Sequence, residues 1–573
     1  MKKSGVSKSS VFTDTIKAAG SAAKDKTPVF GIDLGTTNSA ISVVRSGNTA
    51  DTIKLNSGKM TMPSCVMYRN GEFIVGDEAY AHKNEPNVVY SIKRHMEDDD
   101  YTVTLDDNGD CVTLSPVEVS AKILRGLVDK TDGKYGEVKD VIVTVPAYFS
   151  QIGRDNTKEA CLLAGLNPIN IINEPTAASM LYPTTKSITA LFYDLGGGTF
   201  DVTLAGIECS DVSSIDDIYG LSSDSSSERV ITVYDTNGDT RLGGDDIDNN
   251  LVDIYVNRLK QRYDIDFYST PKDFQIKVRA ALVTIKNSLT GPQDLAKISR
   301  NTSSFVNENG EHVEVTIDIS AEDLAAALKP TFDKTIALVD KVIKDNEQKP
   351  SVLVLVGGST KHPLLRAWLA EKYPDIEINS GFEPDLSVSG GAAVFGKTVK
   401  FGTGDAHVFD IIPQAIGIAS AESNNIIIPR KTPIPCSGER MFTTNRDNQT
   451  AIDVTVLQGG SERPEACTQL GVLHIEGIKP QAKQTVPIRV KVSVDITNTL
   501  RLFVAVDGQE KEMFLDLKGA KSSKDARKEH SIAGWLEMAA SLPEDKYNYI
   551  CELCDEYRAG RVKAGVIMRA LNE

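Results

Sequence analysis

From Pro28 onward the chain alternates two textures. Short apolar runs, VFGID (Val29 to Asp33), VIVTV (Val141 to Val145), LFYDL (Leu191 to Leu195) and VLVLV (Val352 to Val356), are separated by longer stretches with helical spacing. Continuous apolar runs suit strands buried on both faces, and a 3.6-residue period suits the helices that cover them. An α/β unit is therefore expected over residues 28–402. One helix start is explicit: Ser115 can cap, Pro116 suits the first helical position, and Glu118 completes a capping box ahead of Ile123, Leu124 and Leu127.

Beyond residue 402 the runs become short, β-branched and separated by Pro, Gly and Asn, as in AIDVTVLQGG and VPIRVKVSVDI. This texture predicts an all-β unit over residues 412–520. The Gly-rich, polar stretch GTGDAHVFD (Gly402 to Asp410) reads as a linker, taken as residues 403–411. From Lys521 the helical period returns: Ile532, Trp535, Leu536 and Ala539 share a face, and Ser541 with Glu544 can box a second helix. A short helical tail over 521–573 is expected.

A chain of 573 residues is too long for one core, which agrees with several units. Its formal charge, 63 − 79 = −16, argues against a nucleic-acid coat or an anionic membrane surface as partner. It leaves room for a compact phosphate site, because backbone N–H groups and a lysine or two can hold phosphate in an acidic protein. Residues 1–27 carry six Lys, two Asp and five Ser without an apolar h-region, so they read as a flexible tail rather than a secretory signal. The eight cysteines are dispersed, which fits a reduced, cytoplasmic setting. The CxxC of Cys551 and Cys554 has no second ligand pair nearby and reads as helix packing rather than as a metal or redox site.

Candidate chemistry lies in an internal near-repeat, Ile32-Asp33-Leu34-Gly35-Thr36-Thr37 and Tyr193-Asp194-Leu195-Gly196-Gly197-Gly198-Thr199. Each has an apolar strand that delivers an Asp, a glycine turn, and a second β-like run. Glycine lets backbone N–H groups approach phosphate oxygens, and each Asp offers hard oxygen to Mg²⁺ through its waters. GK[ST] is absent, so this is no Walker loop. A third turn, Gly357-Gly358-Ser359-Thr360, ends a buried strand where a nucleoside could rest. Two similar lobes facing one cleft would account for the pair of turns.

The motifs VFGIDLGTTNSAISVV, VIVTVPAYF, IINEPTAA, LFYDLGGGTFDVTL, DTRLGGDDIDN, VLVLVGGST and PDLSVSGGAAV, in this order, resemble the Hsp70 or DnaK chaperones. The likeness continues through IIIPRKTPIP, FTTNRDNQTAIDVTVLQG and LGVLHIEGI, and so spans residues 28 to about 507. It implies an α/β actin-like two-lobed ATPase domain, then an all-β sandwich that grips extended peptides, then a short α-helical tail.

By that resemblance Gly35, Thr36, Thr37 and Asn38 line the first phosphate turn, and Gly196, Gly197, Gly198 and Thr199 the second. ATP or ADP would further meet Gly243, Gly244, Lys286, Thr290, Gly357, Gly358, Ser359, Lys361 and Asp385. Asp33, Asp194 and Asp201 would surround hydrated Mg²⁺, while Lys93 positions the attacking water and Glu174, Thr199 and Asp201 complete the catalytic set. Pro146, Arg154 and Asp410 match positions that relay nucleotide state between domains. Ile418, Phe442, Thr443, Gln449 and Ile452 match the peptide cleft, although their β pattern alone reads as sandwich core.

The implied partners are unfolded polypeptides, a J-domain co-chaperone and a nucleotide exchange factor. Val283, Asn287, Thr290 and Lys361 depart from the residues the family uses around adenosine. The linker's apolar run is weakened and the tail is shorter than the family's lid. A non-hydrolysing binding protein or exchange factor, and a sugar kinase with the same two-lobed core, are the competing readings.

Overall fold

A computed structural model describes residues 27–514, except 47–48, 84, 99, 211–227, 289–300, 308, 380–383, 402–405, 421–422, 497 and 507–508, together with 546, 549–550 and 553. Most of the expected helical tail, including Ile532, Trp535, Leu536, Ala539, Cys551 and Cys554, lies outside the described residues, as do residues 1–26 and Thr290.

The α/β unit contains two large sheets of related topology. In the first, strands β1 (Phe30–Leu34), β2 (Asn38–Ser46) and β3 (Thr49–Thr52) form an antiparallel meander. Strands β4 (Asp140–Val145) and β5 (Asn167–Asn173) continue the sheet in parallel on the other side of β1. The second sheet repeats this plan with the meander β6 (Ile188–Leu195), β7 (Phe200–Ser210) and β8 (Glu228–Asp239). Its parallel strands are β9 (Val352–Val356) and β10 (Glu377–Asn379). The near-repeat in sequence is thus a repeat of strand–turn–strand hairpins: Asp33 pairs with Ala40 across the first, and Asp194 with Asp201 across the second.

Each sheet has its own apolar core, and a third core joins them. The helices α1 (Pro116–Asp129), with the expected Ser115–Glu118 capping box, and α2 (Gln151–Leu163) cover the first sheet. The second is covered by α4 (Gly244–Tyr263), α5 (Lys272–Asn287) and α6 (Ala321–Lys344), while α7 (Pro363–Lys372) follows β9. The helices α3 (Glu174–Leu181) and α8 (Pro384–Phe401) lie where Val29, Ile142 and Ile172 of the first sheet meet Ala190, Phe192 and Val354 of the second. Wholly apolar strands are needed here because both faces of each sheet are covered.

Residues 406–409, within the expected linker, form an edge strand, β11 (Ala406–Phe409), parallel to β8 with Arg229 opposite Ala406 and Thr232 opposite Phe409. The sheet edge supplies unpaired backbone groups and Val408 packs on the shared core, so pairing does not require a leucine-rich run.

Residues 411–514 form two four-stranded antiparallel sheets. One holds β12 (Ile416–Ala419), β13 (Asn424–Ile428), β15 (Ala451–Gln458) and β16 (Thr468–Glu476), and the other β14 (Cys436–Thr443), β17 (Pro487–Val494), β18 (Leu500–Val506) and β19 (Gln509–Phe514). Alternate residues such as Ile488, Val490, Val492 and Val494 point into one shared core. Ile152 of α2 enters this same cluster, so the β unit packs directly on the α/β unit. Gln151 N–H donates to Gln458 Oε1 at 2.9 Å and Gln414 Nε2 to the Tyr148 carbonyl at 3.1 Å across the junction. No helix among the described residues is long and apolar enough to cross a membrane.

Candidate active site

A cleft of about 720 Å³ opens between the two lobes of the α/β unit. Its floor is made by the ends of β1 and β6, where the apolar strands stop and the glycine turns begin. The second turn is closed by Gly196 N–H on the Thr199 carbonyl at 3.0 Å, and Gly244 N–H binds the Gly196 carbonyl at 3.0 Å. Asp245 N–H binds the Gly197 carbonyl at 2.7 Å and Ser359 Oγ binds the Gly196 carbonyl at 2.9 Å. The start of α4 and the turn after β9 are therefore stitched to one peptide.

The two hairpin turns face each other closely. A Cβ on Gly197 would stand 1.9 Å from Thr37 Oγ1, and one on Gly243 would meet the Gly197 carbonyl carbon and oxygen and Gly198 N at 2.6 Å. Glycine is required where the second turn meets the Thr37 side chain of the first and the Gly243 backbone at the start of α4.

Between the turns lies a buried charge cluster. Lys93, from a short 3₁₀ turn (Ile92–His95), is paired with Glu174, the first residue of α3. Burial pulls the Lys93 ammonium down, but Glu174, Asp33 and Asp194 outweigh it and hold its pKa above the ordinary value. Asp33 Oδ1 accepts from Thr144 Oγ1 at 2.9 Å. The Asp194 carboxyl is pushed well above the carboxylate range by burial, then by Glu174, Asp201 and Asp33, with Lys93 opposing. Burial and Glu174 push Asp201 up to about 7 despite the N–H groups of Ala147 and Tyr148, each 3.1 Å away.

Four crowded carboxylates against one ammonium call for a further cation, and the donors are the hard oxygens that suit Mg²⁺. Among the described residues no three Asp, Glu, His or Cys side chains are grouped to hold a metal ion directly. An ion held through its waters fits this arrangement.

Gly35, Thr36, Thr37, Asn38, Lys93, Glu174, Asp33, Asp194, Gly196, Gly197 and Thr199 all border the cleft, with Gly244, Lys286, Gly357, Gly358, Ser359 and Lys361. Gly198 and Gly243 lie behind this wall against the turns, and Asp201 is anchored behind it on the Ala147 and Tyr148 backbone. Nothing is described of the Asp385 side chain, which leaves that expectation outside the described residues. Lys286 Nζ pairs with Asp248 at 2.5 Å, and Val283 and Asn287 border the cleft beside it.

Arg94 and His362 also line the cleft and were not singled out from sequence. Arg94 reaches across to the Arg241 carbonyl at 2.8 Å and to Asp246, bridging the lobes. Its only sequence signal is adjacency to Lys93, as that of His362 is adjacency to Lys361.

A second chain of contacts leads away from the cluster. Asp201 holds the Ala147 N–H, and the Ala147 carbonyl accepts from Arg154 Nη2 at 3.1 Å. The same Arg154 nitrogen binds Asn173 Oδ1 at 2.7 Å, and Asn173 Nδ2 donates to Asp410 Oδ2 at 2.9 Å. Pro146 is buried at the head of this turn, where its carbonyl accepts from Phe149 N–H at 3.2 Å. Pro146, Arg154 and Asp410 thus lie along one connected path from Asp201 to the end of β11.

In the β unit, Ile418, Phe442 and Ile452 come together on one apolar cluster. Ile418 is 3% exposed, in keeping with the core reading of its pattern. Thr443 is exposed. Gln449 does not reach outward: its Oε1 accepts from Asn445 N–H at 3.0 Å and its Nε2 donates to the Ala451 carbonyl at 2.9 Å. Those bonds close its own loop and leave one N–H and one carbonyl lone pair of the amide for a further partner.

Comparison with known proteins agrees with this architecture. The Hsp70 protein family matches residues 29–546. A protein named chaperone protein DnaK from Metamycoplasma hominis is 33% identical over 510 residues, covering 86% of this chain and 80% of its own. Another of that name from Mycoplasmoides gallisepticum is 35% identical over 484 residues, covering 83% of this chain and 77% of its own. These matches do not favour the sugar-kinase or the non-hydrolysing reading. The chain belongs to the Hsp70 family, the ATP-dependent molecular chaperones.

Proposed function

We propose that the chain binds Mg²⁺ and ATP between its lobes, hydrolyses ATP to ADP and phosphate, and uses the cycle to capture and release short extended apolar segments in its β sandwich. The observation that carries this reading is the pair of glycine turns in contact above a buried cluster of Lys93, Glu174, Asp33 and Asp194.

Transfer of a phosphoryl group to water mostly needs positioning and charge neutralisation, and no side-chain nucleophile. Backbone N–H groups of the first turn, residues 35–38, and of residues 197–199 in the second hold the phosphate chain, with Thr36, Thr37 and Thr199 adding hydroxyl donors. Lys93 orients the attacking water, and Glu174, paired with it, keeps the ammonium charged and fixed. Asp33, Asp194 and Asp201 would hold hydrated Mg²⁺, which would supply neutralisation of the phosphate charge. The Ser359 turn and α5, with Lys286 and Lys361, flank the nucleoside.

Coupling to the β unit follows the path Asp201, Ala147, Arg154, Asn173, Asp410. A shift of Asp201 would be felt at the backbone of Ala147 and Tyr148, and Tyr148 also meets Gln414 of the β unit. ATP and peptide then influence one another through their different affinities for docked and undocked arrangements. A cytoplasmic setting, a J-domain co-chaperone and a nucleotide exchange factor belong to the same reading.

The test is single-turnover ATP hydrolysis with and without an extended apolar peptide. Stimulation by peptide is expected. Binding of ATP without turnover, or turnover indifferent to peptide, would remove the coupled cycle.

A further inference from the structure

Around α3 and α8 the two lobes share an apolar core. Beside the cleft they also touch through charged groups that are partly open to solvent. Ile92, from the 3₁₀ turn that carries Lys93, is buried in the core of the first sheet, and Ile247 of α4 in the core of the second. A bond between that turn and the start of α4 therefore spans the lobes, and Arg94 makes several. Its Nη2 donates to the Arg241 carbonyl at 2.8 Å and to the two Asp246 oxygens at 3.2 and 3.3 Å, and its Nη1 stands 3.7 Å from Asp245 Oδ2. Ser91, just ahead of the turn, also hydrogen-bonds Asp245. In the other direction Arg241 pairs with Asp98, which is tied to the turn by its N–H on the His95 carbonyl at 3.1 Å.

The aliphatic stem of Arg94 lies on the second phosphate turn. A Cβ on Gly198 would stand 2.7 Å from Arg94 Cγ and 2.8 Å from its Cδ, and 2.7 Å from Thr36 Cγ2 of the first turn. Gly198 is thus flanked by the first glycine turn and by the residue next to Lys93. The far end of Arg94 is anchored on a fixed point, because Asp246 Oδ2 accepts from Gly243 N–H at 2.8 Å as part of the α4 capping box. The Arg94 and Asp246 side chains are 17% and 29% exposed, so both can rehydrate when the lobes part, without either lobe unfolding.

We propose that Arg94 is a positioning residue that clasps the two lobes across the cleft and, with the Arg241–Asp98 pair, sets the rate at which bound nucleotide leaves. Opening the cleft breaks these bonds and lifts the Arg94 stem from Gly198, so that release and loosening of the second phosphate turn become one step. Weakening the clasp raises the population of the open arrangement and with it the release rate. The inference rests on the nucleotide reading given above.

The test is stopped-flow release of N-methylanthraniloyl-ADP from the full chain with Mg²⁺, chased with unlabelled ADP. Arg94→Gln keeps most of the stem and loses the charge; it should release the label about tenfold faster than wild type, the usual scale for lost charge-assisted hydrogen bonds, with association within about twofold. Arg94→Lys, which keeps the charge but not the planar fork, should fall between the two. Asp98 does not border the cleft, so Asp98→Asn weakens the clasp without touching nucleotide; it should speed release about threefold, the scale of a partly exposed ion pair. Release at the wild-type rate from Arg94→Gln, or a change in that variant confined to association, overturns the proposal. So does release at the wild-type rate from Asp98→Asn, which would leave any Arg94 effect to direct contact with nucleotide. A wild-type protein that does not bind the labelled ADP overturns the nucleotide reading itself.

Discussion

Asp235 Oδ1, wholly buried on β8, accepts from Arg430 Nη2 at 2.6 Å, so the α/β unit and the β sandwich share an ion pair. Lys431 Nζ meets the other oxygen at 2.8 Å, and Arg430 also donates to the Thr236 carbonyl at 2.7 Å. A buried carboxylate with two cations from the opposing unit depends on the docked arrangement for its compensation. The two cations are only partly buried and rehydrate on separation, whereas Asp235 is a strand residue beside the β8–β11 pairing.

Replacing Arg430 with Ala should therefore loosen docking rather than unfold either unit. Hydrogen exchange is expected to accelerate at the amides of Gln151 and β11 by about tenfold or more, a coupling of at least about 1.4 kcal/mol, while the core of the second sheet keeps its protection. Unchanged exchange at Gln151 would show that the pair contributes nothing to docking.

Lys93→Ala is expected to abolish most hydrolysis while ATP binding stays within a few-fold, because water positioning acts on the transition state. The buried Glu174 and Asp194 also lose the counter-charge of the Lys93 ammonium, so the nucleotide-free protein should be less stable, by on the order of 3 kcal/mol. Single-turnover rates and calorimetric affinities, measured on one preparation, decide the first part. Equal losses of binding and turnover would count against it.

Gly243→Ala tests the contact between turns. The residue has φ −172°, which any side chain adopts, so the substitution acts only through the 2.6 Å approach to Gly197 and Gly198. Those are backbone atoms and cannot swing aside. Nucleotide affinity is expected to fall by about a hundredfold or more, roughly 3 kcal/mol, with little change in the β unit. Retention of wild-type affinity would mean the turns have slack.

Asp201 sets a pH dependence. Its folded pKa of about 7 lies above the unfolded carboxylate value, so the native state holds more protons between these limits. The contribution of Asp201 to stability is then present at low pH and is lost as pH rises towards 7. His362 acts in the opposite sense: with a folded pKa of about 4 it costs stability at low pH, and that cost disappears as pH rises past the ordinary histidine value. Comparing nucleotide-free wild type with Asp201→Asn, the stability difference in favour of wild type should shrink from pH 4 to 7 by on the order of 1 kcal/mol per unit. A difference that is flat or grows with pH would show that Asp201 stays ionised.

The strands and the glycine turns at their ends could be read along the chain. VFGID, VIVTV, LFYDL and VLVLV are apolar throughout because both sheet faces are covered, and this local signal appears as strands β1, β4, β6 and β9. The Asp–Gly turns were legible because a tight strand-to-strand turn with close backbone approach demands glycine at fixed spacing from a strand end. The capping box at Ser115 was legible because it is a contact between residues three apart. Features that depend on distant partners emerged from the folded packing alone. Residues 406–409 read as polar linker because their pairing groups are backbone atoms, which carry no side-chain signature, and the edge they join is β8, some 175 residues away. That the Gln449 amide meets Asn445 N–H and the Ala451 carbonyl within its own loop could be seen only in the fold. Arg94 bridges lobes to Asp246, and His362 stays neutral because burial and Lys286 surround it. Pattern reports how each residue meets its own element; charge state and hydrogen-bond vacancy are set by whatever the fold brings alongside.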